Sequence, residues 1–405
     1  MSANYLFHRI CTFATLALMW PIAFSQSGSH GLKMAVDAAW HRSPQSRTLE
    51  ARRNEVRAGK DAAQTWIAGS PILGLSQRSD RWTDGTGVLE NEVSLSAPIW
   101  LPGQKTARQA LAQSGAADLE AQIAYARLAL AGEVRERVWA VAAAREALAE
   151  AQDHQAHLAA IADEVMQRVK AGDLARTDGM LARQEVLAAQ GAIAAAQART
   201  NEALARYSTL TGQSALVNPE PEVIAESMRE PHPRRLAART ALTHAQSALN
   251  VVNRTRSAPP TVGMSVRRER DSATSGHSNS VGIAVQIPFG TNARNRPLET
   301  AALTQIETAT AEAAQIDAEL HAAVDLARQQ LSAAQLALET ASARAVVTRE
   351  HTTLISKAFR LGERGLADLL RSQALSHEAE AAESQQKVAV GLAHARLNQA
   401  LGITP

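Results

Sequence analysis

The sequence predicts a mainly α-helical fold with a small β part, in which a strand pair followed by a long helical hairpin is built twice. Three observations predict it. Sliding the chain by 190 residues brings Pro98 onto Pro288, Gly172 onto Gly362, Asp178 onto Asp368 and Gly212 onto Gly402 with no gap. Gly, Pro and turn Asp mark backbone geometry that both copies of a duplicated unit need. The composition is 45% hydrophobic but only 3% aromatic. Alanine makes up the difference, as in long helices whose backbones approach closely. Finally, two pairs of short segments alternate apolar and polar residues with the period of two that marks a strand.

In chain order, Arg9 is followed by an apolar run, Ile10 to Phe24, and by the small-x-small triplet Ala23-Phe24-Ser25. This reads as a secretory signal over residues 1–25. The single cysteine, Cys11, falls inside it, leaving the rest of the chain without thiols. No other stretch approaches 18 unbroken apolar residues, so a further encounter with a membrane has to use strands. The net charge of +2 gives no bias toward polyanions, and nucleic acid is not an expected partner.

The first copy occupies residues 26–212. A basic helical segment, about 31–68, is broken at Ser43-Pro44, where Ser43 is placed to cap a new start. A hairpin follows, Pro71 to Arg78 and Val88 to Trp100, in which Val93, Leu95, Ala97 and Ile99 form one face. Trp82 and Trp100 mark its two ends. A helical pattern then runs from Gln104 to about Arg168, roughly 100 Å at ~1.5 Å per residue, turns at Val169–Asp178, and continues from Leu181 to Thr211. Residues 213–233 carry four prolines and read as a linker or small irregular equatorial patch rather than helix.

The second copy occupies residues 234–405 and repeats the order. Its strands are carried by Val262, Met264 and Val266 and by Val281, Ile283, Val285 and Ile287, with a loop from Asp271 to Ser280 between them. Its long helix has an apolar series Ala302, Ile306, Ala309, Ala313, Ile316, Leu320, Val324, Ala327, Leu331, Ala334, Leu338, Ala341 and Ala345, a straight-helix spacing. It turns near Gly362 and continues from Leu369 to Leu401.

Four strands cannot cross a bilayer alone, because open edges leave backbone groups unpaired in a medium without water. If the strands are membrane-embedded, several copies have to close one barrel, with Val93, Leu95, Val281, Ile283, Val285 and Ile287 facing lipid. The other reading of the alternation is a hairpin on a soluble core. No Ser/His/Asp order, nucleophilic thiol, phosphate-binding loop or zinc signature stands out, so neither an enzyme nor a cofactor is expected. His154 and His157 share a helix face and read as a solvated pair rather than a metal site.

Leu95-Ser-Ala-Pro-Ile-Trp-Leu-Pro-Gly-Gln-Lys-Thr-Ala-Arg108 is similar to the strand-to-helix transition of the TolC-like outer-membrane efflux proteins, particularly their heavy-metal (CzcC-like) branch. Arg360-Leu-Gly-Glu-Arg-Gly-Leu-Ala-Asp-Leu-Leu370 resembles that family's periplasmic helix turn. The resemblance implies a homotrimer with a 12-stranded barrel in outer-membrane lipid, continuing into an α-helical tunnel in the periplasm. It implies a passive efflux conduit for heavy-metal cations or small toxic compounds, opened by a periplasmic adaptor and an inner-membrane pump. Gly172, Asp173, Gly362 and Glu363 would form the tips where the adaptor docks. Asp178, Phe359, Arg364, Asp368 and Arg371 would fall at the gate, with an Asp178–Arg364 link available to it. The alternative reading is a periplasmic coiled-coil scaffold or adaptor of an export complex.

Overall fold

A computed structural model describes residues 27–216 and 218–405; the expected signal segment lies outside the described residues. The order is α1 (Ser27–Arg42), α2 (Pro44–Gln64), β1 (Ile72–Ser79), β2 (Leu89–Pro98), α3 (Gln104–Ala171), α4 (Arg176–Thr211), α5 (Pro233–Arg254), β3 (Thr261–Arg270), β4 (Ser278–Gln286), α6 (Asn292–Arg360) and α7 (Leu366–Ala400). Helix, strand, strand, long helix, helix therefore occurs twice, with one extra helix at the start.

The punctuation residues act as their chemistry dictates. The Ser43 hydroxyl accepts from the Gln45 N–H at 3.2 Å, and Pro44 opens α2 where its missing N–H costs nothing. Pro233 opens α5 in the same way. Gly172 closes α3 at φ +88, donating to the Val169 carbonyl while Asp173 donates to that of Arg168. Gly362 repeats this at φ +78, with bonds to Phe359 and, from Glu363, to Ala358. Both ends are Schellman caps, a geometry that favours glycine, and every partner is displaced by the same 190 residues.

The helical hairpins begin earlier than the apolar pattern suggests. Helix α4 starts at Arg176 rather than Leu181, and α7 at Leu366 rather than Leu369. The Schellman turns reverse the chain within four or five residues and leave no room for a longer loop. Strand β4 likewise starts at Ser278, inside the expected loop.

Several small cores are strung along the molecule. Val36, Val134, Val138, Val141 and Tyr207 join α1, α3 and α4. Val324, Leu331, Ala393, Leu397 and Leu401 join α6 and α7. Val165, Ala182, Phe359, Leu366 and Leu369 gather both helix turns into one tip. Where α3 crosses α7, a Cβ added to Gly391 would lie 2.0 Å from the Trp139 ring, so the contact requires glycine.

The irregular segment between α4 and α5 packs as a waist around residues 222–228. The buried Arg135 guanidinium donates to both Glu222 carboxylate oxygens, at 2.8 and 2.7 Å, and to Gln399 Oε1 at 2.7 Å. Asn398 donates to the Val223 carbonyl at 2.9 Å and accepts from the Ala225 N–H. Ile224 and Met228 pack on the α6–α7 core.

Candidate functional site

The four strands form one antiparallel sheet in the order β1-β2-β3-β4. Residues directly opposite across such a sheet share a face, and alternate residues along a strand take opposite faces. The register therefore defines apolar rows Leu75–Val93–Val266–Val281, Leu73–Leu95–Met264–Ile283 and Ala97–Val262–Val285. The opposite face carries Gly74–Ser94–Ser265–Gly282 and Ile72–Ser96–Gly263–Ala284, followed by two charged rows toward the loops.

The two faces are exposed in the reverse of the order a soluble hairpin requires. Ile283 is 80% exposed, Leu75 73% and Val281 71%, and Val93, Leu95 and Val285 are exposed with them. Along β2 and β3 the intervening polar positions are the half-buried ones. The polar face is the crowded side: a Cβ on Gly74 would come within 2.5 Å of Ser94 Oγ, and one on Gly263 within 3.0 Å of Ser96 Cβ. Apolar side chains thus stand away from the sheet while small residues fill the tight side. Ile287 lies one residue beyond the end of β4 and is also exposed.

Of the two expected end-marking tryptophans, Trp82 in the β1–β2 loop is 90% exposed. Trp100 is held instead, donating through Nε1 to the Thr65 carbonyl at 3.1 Å beneath the Arg108 guanidinium. At that helical end of the sheet the exposed aromatics are Trp66 and Phe289. The Leu-Pro-Gly turn ends on Gly103 at φ +83, and the next residue, Gln104, is fully buried. Its amide accepts from the Leu101 N–H and donates to the Arg254 and Ser257 carbonyls, fixing how sheet passes into helix.

At the opposite end, the tip places its sequence-chosen residues unequally. Gly172, Asp173, Gly362 and Glu363 lie exposed on the two turns. Asp178 accepts from the Ala175 N–H at 3.2 Å and so caps its own helix α4. Arg364 stands 3.8 Å from Asp368 one turn along α7, both well exposed. Within the chain, then, Asp178 and Arg364 each have a local partner and no bond joins them. Phe359 is 3% exposed in the tip core and is not presented to an opening; its ring, lacking a hydroxyl, packs among apolar neighbours. Arg371 is exposed on α7.

Sequence reasoning missed the residue that joins the two turns. Arg168 of α3 donates to the Phe359 and Arg360 carbonyls, at 3.3 and 3.0 Å, and its guanidinium sits 5.0 Å from the Phe359 ring centroid. It adds a second donor to the Phe359 carbonyl, which also accepts from Gly362, supplies one to that of Arg360, and answers the dipole of α6. Its partner lies 191 residues away in sequence, so no local pattern announces it.

The same holds for His154. It is half-buried and stacks on His377 of α7 with ring centroids 3.9 Å apart and 8° between planes, while His157 is exposed as expected. The pair lines a polar cavity of about 570 Å³ between α3, α6 and α7, with Glu150, His157, Arg349 and Lys387 around it. Burial, and then the neighbouring His377 and His157, lower the His154 pKa to about 4. Among the described residues no three His, Cys, Asp or Glu side chains are placed to hold a metal ion, and no helix is long and apolar enough to cross a membrane.

No protein-family model matches the chain, and neither does any curated protein. Its fold does match solved structures. The outer membrane protein VceC of Vibrio cholerae superposes with TM-score 0.71 at 16% identity, over 92% of this chain and 96% of that one. The open state of the Neisseria gonorrhoeae outer membrane channel MtrE gives 0.71 at 18%, over 92% and 89%. CusC, described in terms of transmembrane channel formation, gives 0.75 at 14%, over 92% of each chain.

Proposed function

We propose that three copies of this chain close a 12-stranded barrel in the outer membrane and continue into a helical tunnel in the periplasm. The assembly is a passive efflux conduit, not an enzyme. One observation carries the reading: a sheet whose apolar face is bare, whose polar face is crowded by Ser and Gly, and whose outer strands β1 and β4 each have one unpaired edge. In water that face would drive aggregation; in a bilayer it is the solvated side. The open edges have to be paired once the sheet enters hydrocarbon, and copies of the same chain supply matching edges. A scaffold protein would instead cover such a face with its helical arms. The likeness in fold to VceC, MtrE and CusC supports the same reading.

Within it, the exposed turns at Gly172–Asp173 and Gly362–Glu363 are the docking points for a periplasmic adaptor and its inner-membrane pump. Asp178, Arg364, Asp368 and Arg371 line the tunnel end, where Asp178 and Arg364 can meet only across neighbouring copies. Heavy-metal cations or small toxic compounds are the cargo; the Leu101-Pro-Gly-Gln-Lys105 motif supports the heavy-metal branch.

Two measurements test the channel. Purified protein should migrate on gels as a trimer that dissociates only on heating, and should conduct ions in planar bilayers. Replacing Asp178 or Arg364 with Ala should raise the resting conductance. A monomeric protein that remains soluble without detergent and conducts nothing would sink the proposal, while unchanged conductance in both variants would remove only the gate.

A further inference from the structure

The polar face of the sheet concentrates all its charge in two adjacent rows at the loop end. These are Ser76–Glu92–Arg267–Ser280 and Arg78–Glu90–Glu269–Ser278. The three rows nearer the helices, which end with Pro98–Thr261–Gln286, carry no charge. Glu90 and Glu269 are direct cross-strand partners, a like-charge pairing that is unfavourable by itself. Arg267 lies beside it and binds both carboxylates of β2. Its Nε is 2.9 Å from Glu90 Oε1, and its NH2 donates to Glu92 Oε2 at 2.9 Å. The two glutamates are only 21% and 23% exposed, held against the sheet by the guanidinium, whereas Arg267 is 43% exposed.

We infer that Arg267 is the residue that sets ion preference at the outer mouth of the channel. The inference rests on the barrel reading, which turns the polar face toward the lumen. Each chain brings two cations, Arg78 and Arg267, and three carboxylates, Glu90, Glu92 and Glu269, to this collar. Three copies therefore give a ring with a small excess of negative charge. Arg267 holds that excess down by tying up two carboxylates. Without it the negative excess doubles, and the glutamates are freed to extend into the pore. A ring of carboxylates around a pore favours cations and raises their local concentration within a Debye length. A cation cargo would leave through a mouth tuned to be mildly, rather than strongly, attractive, since an ion that binds too well leaves slowly.

The test is the reversal potential of the full-length trimer in planar bilayers under a KCl gradient, kept at or below ~0.1 M, where the Debye length is ~10 Å. Arg267→Gln should raise the cation-to-anion permeability ratio by roughly twofold or more. Arg267→Lys should leave it near the wild-type value. Glu269→Gln, which removes a carboxylate outside the Arg267 ion pairs, should lower the ratio and provides a second reading if Arg267→Gln assembles poorly. Conducting variants whose permeability ratios all match the wild type would overturn the inference while leaving the channel intact. Absence of conductance in the wild type and in both gate variants, Asp178→Ala and Arg364→Ala, would instead overturn the barrel reading beneath it.

Discussion

The two long helices have nearly the same length, 68 residues for α3 and 69 for α6, and the same alanine-rich composition, yet they occupy different positions. Helix α3 is the spine. It touches α1, α2, α4, α5 and α7, buries Leu119, Leu128, Val134, Val138 and Trp139, and holds the waist through Arg135. Helix α6 is an edge. Its apolar stripe from Ala302 to Ala345 is buried or half-buried throughout, but Leu298, Leu303, Leu326, Leu336, Val346, Val347 and Leu354 stand exposed outside that stripe. One copy of a repeated unit is thus filled in from within the chain, while the other keeps an exposed apolar flank, the surface that a neighbour would cover in the proposed trimer.

Breaking the spine should have the largest effect. Glu222→Ala leaves the Arg135 charge buried without its partner, a change expected to cost about 3–5 kcal/mol. Denaturant unfolding in detergent should show it as a lower midpoint at unchanged slope. A loss below about 1 kcal/mol would mean that the waist is looser than the spine picture requires.

A smaller effect comes from the imidazole stack where α3 meets α7. The folded His154 pKa, about 4, lies below the unfolded value of 6.5. Between those values the unfolded chain binds a proton that the folded chain refuses. Stability is therefore full above pH 6.5 and is lost as pH falls toward 4. Allowing for partial exposure to solvent, the loss is about 1–2 kcal/mol. Hydrogen exchange of the α3–α7 contact, once divided by the intrinsic amide rate at each pH, should accelerate over this window in the wild type as protection is lost. In His154→Phe, which keeps a ring on His377, this component should disappear; an identical acceleration in both proteins would assign it to other groups.

The smallest change in protomer stability is expected on the edge. Leu326→Ser and Leu336→Ser alter exposed side chains, and each should cost less than about 0.5 kcal/mol in the isolated chain. Both should nevertheless weaken assembly, read as the trimer fraction by sedimentation in detergent. Unaltered assembly would show that the neighbour packs elsewhere on α6.

Much of this fold could be read from the chain because its signals are local. Glycine at a left-handed cap, proline at a first helical turn, alternation in β2 and β4, and the 3.6-residue stripe of α6 each depend on residues a few places apart. The site was legible only where the same held. The apolar rows followed from alternation, and the turn glycines from punctuation. What was missed depends on distant partners: Arg168 on the end of α6, His377 on His154, and Arg135 on Glu222 and Gln399. Asp178 was visible as a charged turn residue, but its carboxylate is already engaged by the Ala175 N–H once the turn has folded. Phe359 occupied the expected place in sequence and a different one in space, because an aromatic ring without a polar handle is most stable in the tip core.

The waist has a further consequence in the entropy of the unfolded chain. Joining Thr352 to Ser372 near the tip spans 20 residues, whereas joining Arg135 to Gln399 spans 264. Loop-closure entropy grows with the logarithm of length, so the waist contact starts roughly 2 kcal/mol behind the tip. The helix turns can close early on local contacts alone. The polar knot at Arg135 has to wait until nearly the whole second copy is in place, and it then fixes the two copies against each other.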